Sequence, residues 1–399
     1  MNKKLTKVIG LIMAGAMTVM AGCGNSAPAA QGSADNAAPA QEAETTTQPS
    51  GKAKKIGVLV ADVSGEEALG FRNYYEKYIQ EKYDVTFDYT DALASAEDEK
   101  AAIEKFASKG YDAVISLSSS DRAQQIETCE QYGLYYAIAS GVLDDEQYEK
   151  YKGYEHFVCQ IGPSNATEFE AGKAMGEYFK NQGVKKVALY GAFIPNPMHV
   201  FRAAGILTGL GCTYGGANDM GAIVGQIFQD QGIDLSKVSG DVELVAYLQG
   251  YGDTTTDELG AAIQKAPEAF LSVGMATTFF AQTLSQENIP FADIDSFTAM
   301  NSQSMESGSL KYLAGKYSSS IGPVFALVSN AIDGNLIRND EGNAVSLNQG
   351  YLVATDKATF DEYFVNDNGD SPIYSKETLD SIIGSQVTYQ DVKSLVESK

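Results

Sequence analysis

The stretch that most constrains the fold is Lys54–Asp62, KKIGVLVAD. Ile56, Val58, Leu59 and Val60 are strand formers in a run without polar alternation. Such a run reads as a strand covered on both faces, as in a parallel sheet. A polar loop over 64–71 follows, and then a helical pattern from Gly70 to Lys82, with Phe71, Tyr74, Tyr75, Tyr78 and Ile79 recurring at helical spacing. In open α/β sheets, ligands bind beyond the carboxyl ends of the strands. A site is therefore expected where this loop and its equivalents converge.

The unit repeats along the chain. Val85–Tyr89, Tyr111–Leu117, Tyr135–Ala139 and His156–Ile161 read as strands, separated by helical patterns over Ala94–Lys109 and Arg122–Tyr132 that Gly110 and Gly133 stop. Gly162–Asn165 is a turn, and Ala166–Gln182 a new helix. The opening strand then recurs as KKVALYG, ending at Gly191. A loop from Phe193 to His199 leads into a helix over Val200–Leu210. The segment 210–239 is Gly-rich and weakly patterned. Strands follow at Val242–Leu248, Ala269–Val273, Ser296–Met300, Leu310–Tyr317 and Gln349–Ala354, with helices at Thr256–Ala266, Thr277–Glu287 and Gly322–Ile332. Asn339–Gly342 reads as a hairpin turn. The strand–helix alternation makes this an α/β chain of two similar halves joined by more than one crossing.

The segment before Lys54 is not fold. Lys3, Lys4 and Lys7 precede an apolar run, Val8–Met20, too short for a permanent membrane span. It ends in Met20-Ala21-Gly22-Cys23, which resembles the lipobox of bacterial lipoproteins, with Met20 in place of the usual leucine. That resemblance implies cleavage of residues 1–22 and lipidation of Cys23. Residues 23–53 are rich in Ala, Gln, Ser, Thr, Pro and Glu, a composition that does not offset the entropy of ordering, and read as a disordered tether. The formal charge is −23, and loss of three lysines with the leader takes it near −26. Such a field opposes nucleic acid and anionic membrane surfaces. Cys129, Cys159 and Cys212 leave room for one disulfide or for buried thiols.

The chain from Lys54 onward resembles the type I periplasmic binding proteins of the ribose- and galactose-binding kind. The residues that carry this are Lys55–Asp62, Tyr111–Ser118, Phe169–Gly172 with Ala174 and Tyr178, Val187–Gly191 followed by Arg202, and Pro267–Gly274 with Ala281. Their order, more than any single motif, makes the likeness. It implies two Rossmann-like lobes with parallel sheets, joined by a three-segment hinge. The first lobe would hold 54–161 and 302–350, the second 162–301 and 351–399, with crossings near Gly162, Asn301 and Tyr351. It further implies a monomer that closes over a small-molecule ligand and docks on ABC permease subunits, with no cofactor, no metal and no catalysis. Met275-Ala276 stand where the family often has Asn-Asp, and Asn301 where it has Asp, which weighs against a plain pentose or hexose. A sugar-like neutral ligand, a nucleoside or another metabolite fits, as does a sensory role in which the ligand is presented to a membrane receptor.

Six residues are candidates for ligand contact. Arg202 offers a planar fork of donors for ligand oxygens. Phe71 offers a stacking face. Asp121 either accepts from ligand hydroxyls or caps the helix that follows it. Asn165 and Asn301 sit at expected crossings, and Tyr317 is a wall of the cleft or core. His199, in an expected loop, reads as solvent-exposed or as a ligand contact, and neither it nor His156 has a metal-ligand partner at motif spacing. Asn366–Asp370 reads as a turn.

Overall fold

The computed structural model describes residues 53–368 and 372–398. The expected leader, Cys23 and nearly all of the tether lie outside the described residues.

Two six-stranded sheets organise the chain. The first contains β1 (Lys54–Leu59), β2 (Val85–Tyr89), β3 (Ala113–Ser116), β4 (Tyr135–Ala139) and β5 (Phe157–Gly162). The second contains β6 (Lys186–Tyr190), β9 (Glu243–Leu248), β10 (Ala269–Ser272), β11 (Phe291–Ser296) and β12 (Leu310–Lys316). Between β6 and β9, Cys212–Tyr214 (β7) and Val238–Gly240 (β8) form a small antiparallel pair beside a helix at Met220–Asp230. This is the structure of the weakly patterned segment. The chain then returns to the first sheet with β13 (Val345–Asn348) and to the second with β14 (Leu352–Ala354). Strand order is β13-β5-β4-β3-β1-β2 in one sheet and β14-β12-β11-β10-β6-β9 in the other. All pairings within the two sheets are parallel except β12 with β14. The fully buried runs of β1, β3, β5 and β10 show why these strands lack polar alternation: helices cover both faces.

Several expectations are corrected by the sheet pairing. The second crossing is not at Asn301. Leu310–Lys316 continues the second sheet beside β11, and the chain crosses at 317–321 instead. The strand expected at Ser296–Met300 ends at Ser296, and Ala299–Glu306 is a helix capped by Thr298. The end of the chain belongs to the first lobe. Tyr374, Leu379, Ile382, Val392 and Val396 join the core under β1, β2 and β13, and the Tyr74 hydroxyl donates to the Tyr374 carbonyl at 2.6 Å. Asn339–Gly342 is a turn, but β13 beyond it pairs in parallel with β5, so no hairpin forms. Asn366 lies in the Lys357–Asn368 helix, not in a turn. Cys129, Cys159 and Cys212 are buried free thiols.

The three connections at 163, 317–321 and 349–351 are bound to one another. The Gln349 amide N–H donates to the Gly162 carbonyl, its side chain donates to the Ser320 carbonyl, and Asn348 Oδ1 accepts from the Ser164 N–H. Asp367 accepts from the N–H groups of Ser318 and Ser319, fixing the middle connection.

Candidate ligand-binding cleft

A cavity of about 830 Å³ opens at the carboxyl ends of both sheets and is lined by both lobes. This is the position that parallel-sheet geometry reserves for ligands. From the first lobe come Val60, Asp62, Glu66, Glu67, Phe71, Ser118 and Ser140; from the second come Phe193, Met198, Tyr251, Met275, Thr277, Phe279, Asp295, Met300, Asn301 and Lys316. Ser140 and Met275 both hold positive φ, at 63° and 69°, a conformation non-glycine residues seldom adopt.

The floor of the cleft is a charged network that ties the lobes together. The Glu66–Asn73 helix begins with two carboxylates, which suit the positive end of its dipole. Glu66 reaches across and accepts from the Met300 N–H at 3.0 Å. Glu67 accepts from the Ser296 hydroxyl at 2.7 Å and pairs with Lys316 at 3.0 Å. Lys316 also donates to the Ser140 hydroxyl at 2.7 Å, and its ammonium lies 5.6 Å from the centre of the Phe71 ring. Burial disfavours charge on Glu67, but Lys316 and Ser296 outweigh it and hold the pKa below the usual glutamate range. For Asp295 the bonds from the Ser296 N–H and the Asn301 amide do not offset the cost. Burial, then the nearby charges of Asp293 and Glu67, push its carboxyl up to about 8. Asp293 is raised too, by burial, although it accepts from the backbone of Thr277 and Ile294.

The six candidates part company. Phe71 and Asn301 line the cleft. Asn301 is fully buried, and its amide is spent within the lobe: it donates to the Ser296 carbonyl and accepts from the Thr277 hydroxyl. Arg202 does not face the cleft. It is buried among Glu168, the Val273 carbonyl and the Tyr351 hydroxyl, at 2.6, 2.7 and 2.5 Å. Its guanidinium braces the third connection rather than a ligand. Asp121 is the N-cap of the Arg122–Tyr132 helix, accepting from the Gln124 N–H, and is exposed away from the cavity. Asn165 is the first residue of the Asn165–Asn181 helix, behind the Ser164 cap, and does not line the cleft. Tyr317 packs on Phe297 and Tyr363 and lines a smaller cavity of about 280 Å³ among the three connections. His199 is not exposed: it lies in the Pro197–Gly209 helix, accepts from the Phe193 N–H, and burial beside Arg202 lowers its pKa to about 3.

The groups that sequence reasoning missed are Glu66, Glu67, Asp295 and Lys316, and a shelf of Phe193, Tyr251 and Phe279. One signal was available for Asp295. Phe291–Ser296 reads FADIDS, and two aspartates in a buried strand ending at a sheet's carboxyl edge need a reason.

No family model matches the chain, and no curated protein does. Solved structures do. A solute-binding protein of an ABC transporter from Bacillus halodurans C-125, with bound myo-inositol, is similar at 15% identity, over 80% of this chain and 99% of that one, with a TM-score of 0.56. The periplasmic component of the arabinose ABC transporter from Shewanella sp. ANA-3 is similar at 15% identity, over 79% and 96%, with a TM-score of 0.55. A Mycobacterium smegmatis protein in complex with β-D-fucofuranose is similar at 12% identity, over 83% and 98%, with a TM-score of 0.58. The fold is that of the type I periplasmic binding proteins. The likeness runs along nearly the whole length of each solved chain.

Proposed function

We propose that the chain is the solute-binding component of an ABC importer, capturing a small solute between its lobes by hinge closure and delivering it to a permease pair. The observation that carries this is the 830 Å³ cavity, lined from both lobes and floored by cross-lobe bonds from Glu66, Glu67 and Lys316. A solute entering it meets both halves at once, so binding and closure are one event. The sugars and myo-inositol in the similar structures make a sugar-sized solute the first class to try. The reading is of a binder rather than a catalyst. Both histidines are committed, His199 to the Phe193 N–H and His156 to Glu130. We place the protein outside the cytoplasmic membrane, held through lipid on Cys23 and standing off on the 23–53 tether, as a monomer.

The test is thermal unfolding of the protein from Gly51 onward against a panel of sugars, polyols, amines and nucleosides. A solute present at 100 times its Kd adds about 2.7 kcal/mol of stability, which is several degrees in Tm. A panel in which nothing moves Tm defeats the proposal. Release of the membrane-bound protein by a mutant Cys23→Ser, read by fractionation, tests the anchor.

A further inference from the structure

The cleft is lined by two contrasting sets of side chains, and the contrast narrows the solute. We infer, building on the solute-binding reading above, that the solute is a ring compound bearing a protonated amine, its ring lying on Phe193, Tyr251 and Phe279 and its ammonium facing Asp295.

The shelf is the first reason. Tyr251 and Phe279 stack with centroids 5.4 Å apart and planes 8° from parallel, and Phe193 meets Tyr251 edge-on at 5.5 Å. Tyr251 is 65% exposed, Phe193 38% and Phe279 36%. The stacked pair and the ring set edge-on to it brace one another and all line the cavity, as do Met198 and Met275. They come from three separate segments, after β6, after β9 and in the helix after β10, so no local packing need gathers them. Such a face takes the flat apolar side of a ring.

The polar set is the second reason. On the second lobe, the side chains of Asn301, Thr277 and Thr298 are already bonded within the lobe. Asp295 is not: Oδ1 accepts from the Ser296 N–H at 2.8 Å, but Oδ2 has only Asn301 Nδ2 at 3.5 Å, a marginal distance. Among the described residues lining the cavity, Lys316 is the one cation, and Glu67 and Ser140 hold it. The charged groups around Asp295 are Asp293 on its own strand and Glu67 from the Glu66–Asn73 helix, both of its own sign, with Lys316 turned to Glu67. A neutral hydroxyl brings no charge to set against that repulsion, which only the proton on Asp295 then relieves. An ammonium donates and removes it. Burial and the two like charges keep a proton on Asp295 at neutral pH, so an ammonium arriving there displaces that proton.

The test uses matched probes on the protein from Gly51 onward: D-glucosamine against D-glucose, and 2-phenylethylamine against 2-phenylethanol. Each is titrated calorimetrically at pH 7 in two buffers of different ionisation enthalpy. The amine should bind at least about tenfold more tightly than its neutral counterpart and release a proton to the buffer. Asp295→Asn, checked for an unchanged circular dichroism spectrum and a single cooperative unfolding step, should abolish both the preference and the release. Tyr251→Leu, at an exposed position, should weaken both members of a pair alike. Equal or tighter binding of the neutral members, or no proton release, overturns this inference while leaving the solute-binding reading intact. Tyr251→Leu without effect overturns the ring placement. Binding by neither member of either pair, while myo-inositol or L-arabinose binds, also overturns it. If none of these binds, this inference falls, and the wider panel above decides the solute-binding reading separately.

Discussion

The two lobes open with the same device, a buried strand, a loop and a helix, yet they use it for opposite ends. After β1, the helix points Glu66 and Glu67 across the cleft to Met300, Ser296 and Lys316. After β6, the Pro197–Gly209 helix turns inward, and His199 and Arg202 are buried in its own lobe. The cause is the partner helix. Gly172 and Gly176 on the Asn165–Asn181 helix, and Gly205 and Gly209 on the other, each lie where a Cβ would overlap opposing backbone. Glycine there lets the two helices touch along their backbones, which brings Glu168 to Arg202. The first lobe's opening helix spends its charges on what lies between the lobes, the second's on holding its own lobe and the third connection.

Replacing Arg202 with Met should give the largest loss. It strands Glu168 and the Tyr351 hydroxyl in a buried site, at about 3–5 kcal/mol, read by urea unfolding. If ligand affinity fell with no loss of stability, the contrast between the lobes would be broken. Gly205→Ala should cost about 1–3 kcal/mol, because the added methyl overlaps the Phe169 carbonyl, whereas an alanine at Gly110, where the structure leaves open space, meets no neighbour, only its positive φ. Asp295→Asn should raise stability at pH 8, since each unit by which burial and like charges lift the folded pKa costs about 1.4 kcal/mol. The sign follows from a folded pKa near 8 against 3.8: the folded state keeps its proton longer, so stability falls as pH rises from about 4 to about 8 and is level beyond. The variant should lack that slope. His199, held near 3 against 6.5, acts from the acid side: stability falls as pH drops from about 6.5 towards 3, and His199→Gln should flatten that limb. The smallest effect belongs to Asp121→Ala. Losing the cap costs about 1 kcal/mol and should leave ligand affinity unchanged.

How far the sequence could be read tracks how local the cause was. Runs such as Lys54–Leu59 and Lys186–Tyr190 declare buried parallel strands because the burial that selects them acts on every residue. Stops at Gly110 and Gly133 are likewise local. Arg202 was misjudged because its direction is set by Gly205, Glu168 and Tyr351, the last 149 residues away. The second crossing was misplaced because a strand's sheet is decided by its neighbours in space; Leu310–Lys316 looks the same in either lobe. The aromatic shelf was invisible because Phe193, Tyr251 and Phe279 are unremarkable in their own segments, and meet only through the order β10-β6-β9.

The return of the final residues to the first lobe has a bearing on how the protein is made. Synthesis lays down β1 more than 300 residues before Val392 and Val396, which close over that same body. The core of the second lobe has its last element, the Lys357–Asn368 helix, well before Val392 emerges, and lacks then only the packing of Ile373. The half that is begun first is thus sealed second, and a nascent chain halted before Tyr374 carries a finished second lobe beside an uncovered first one.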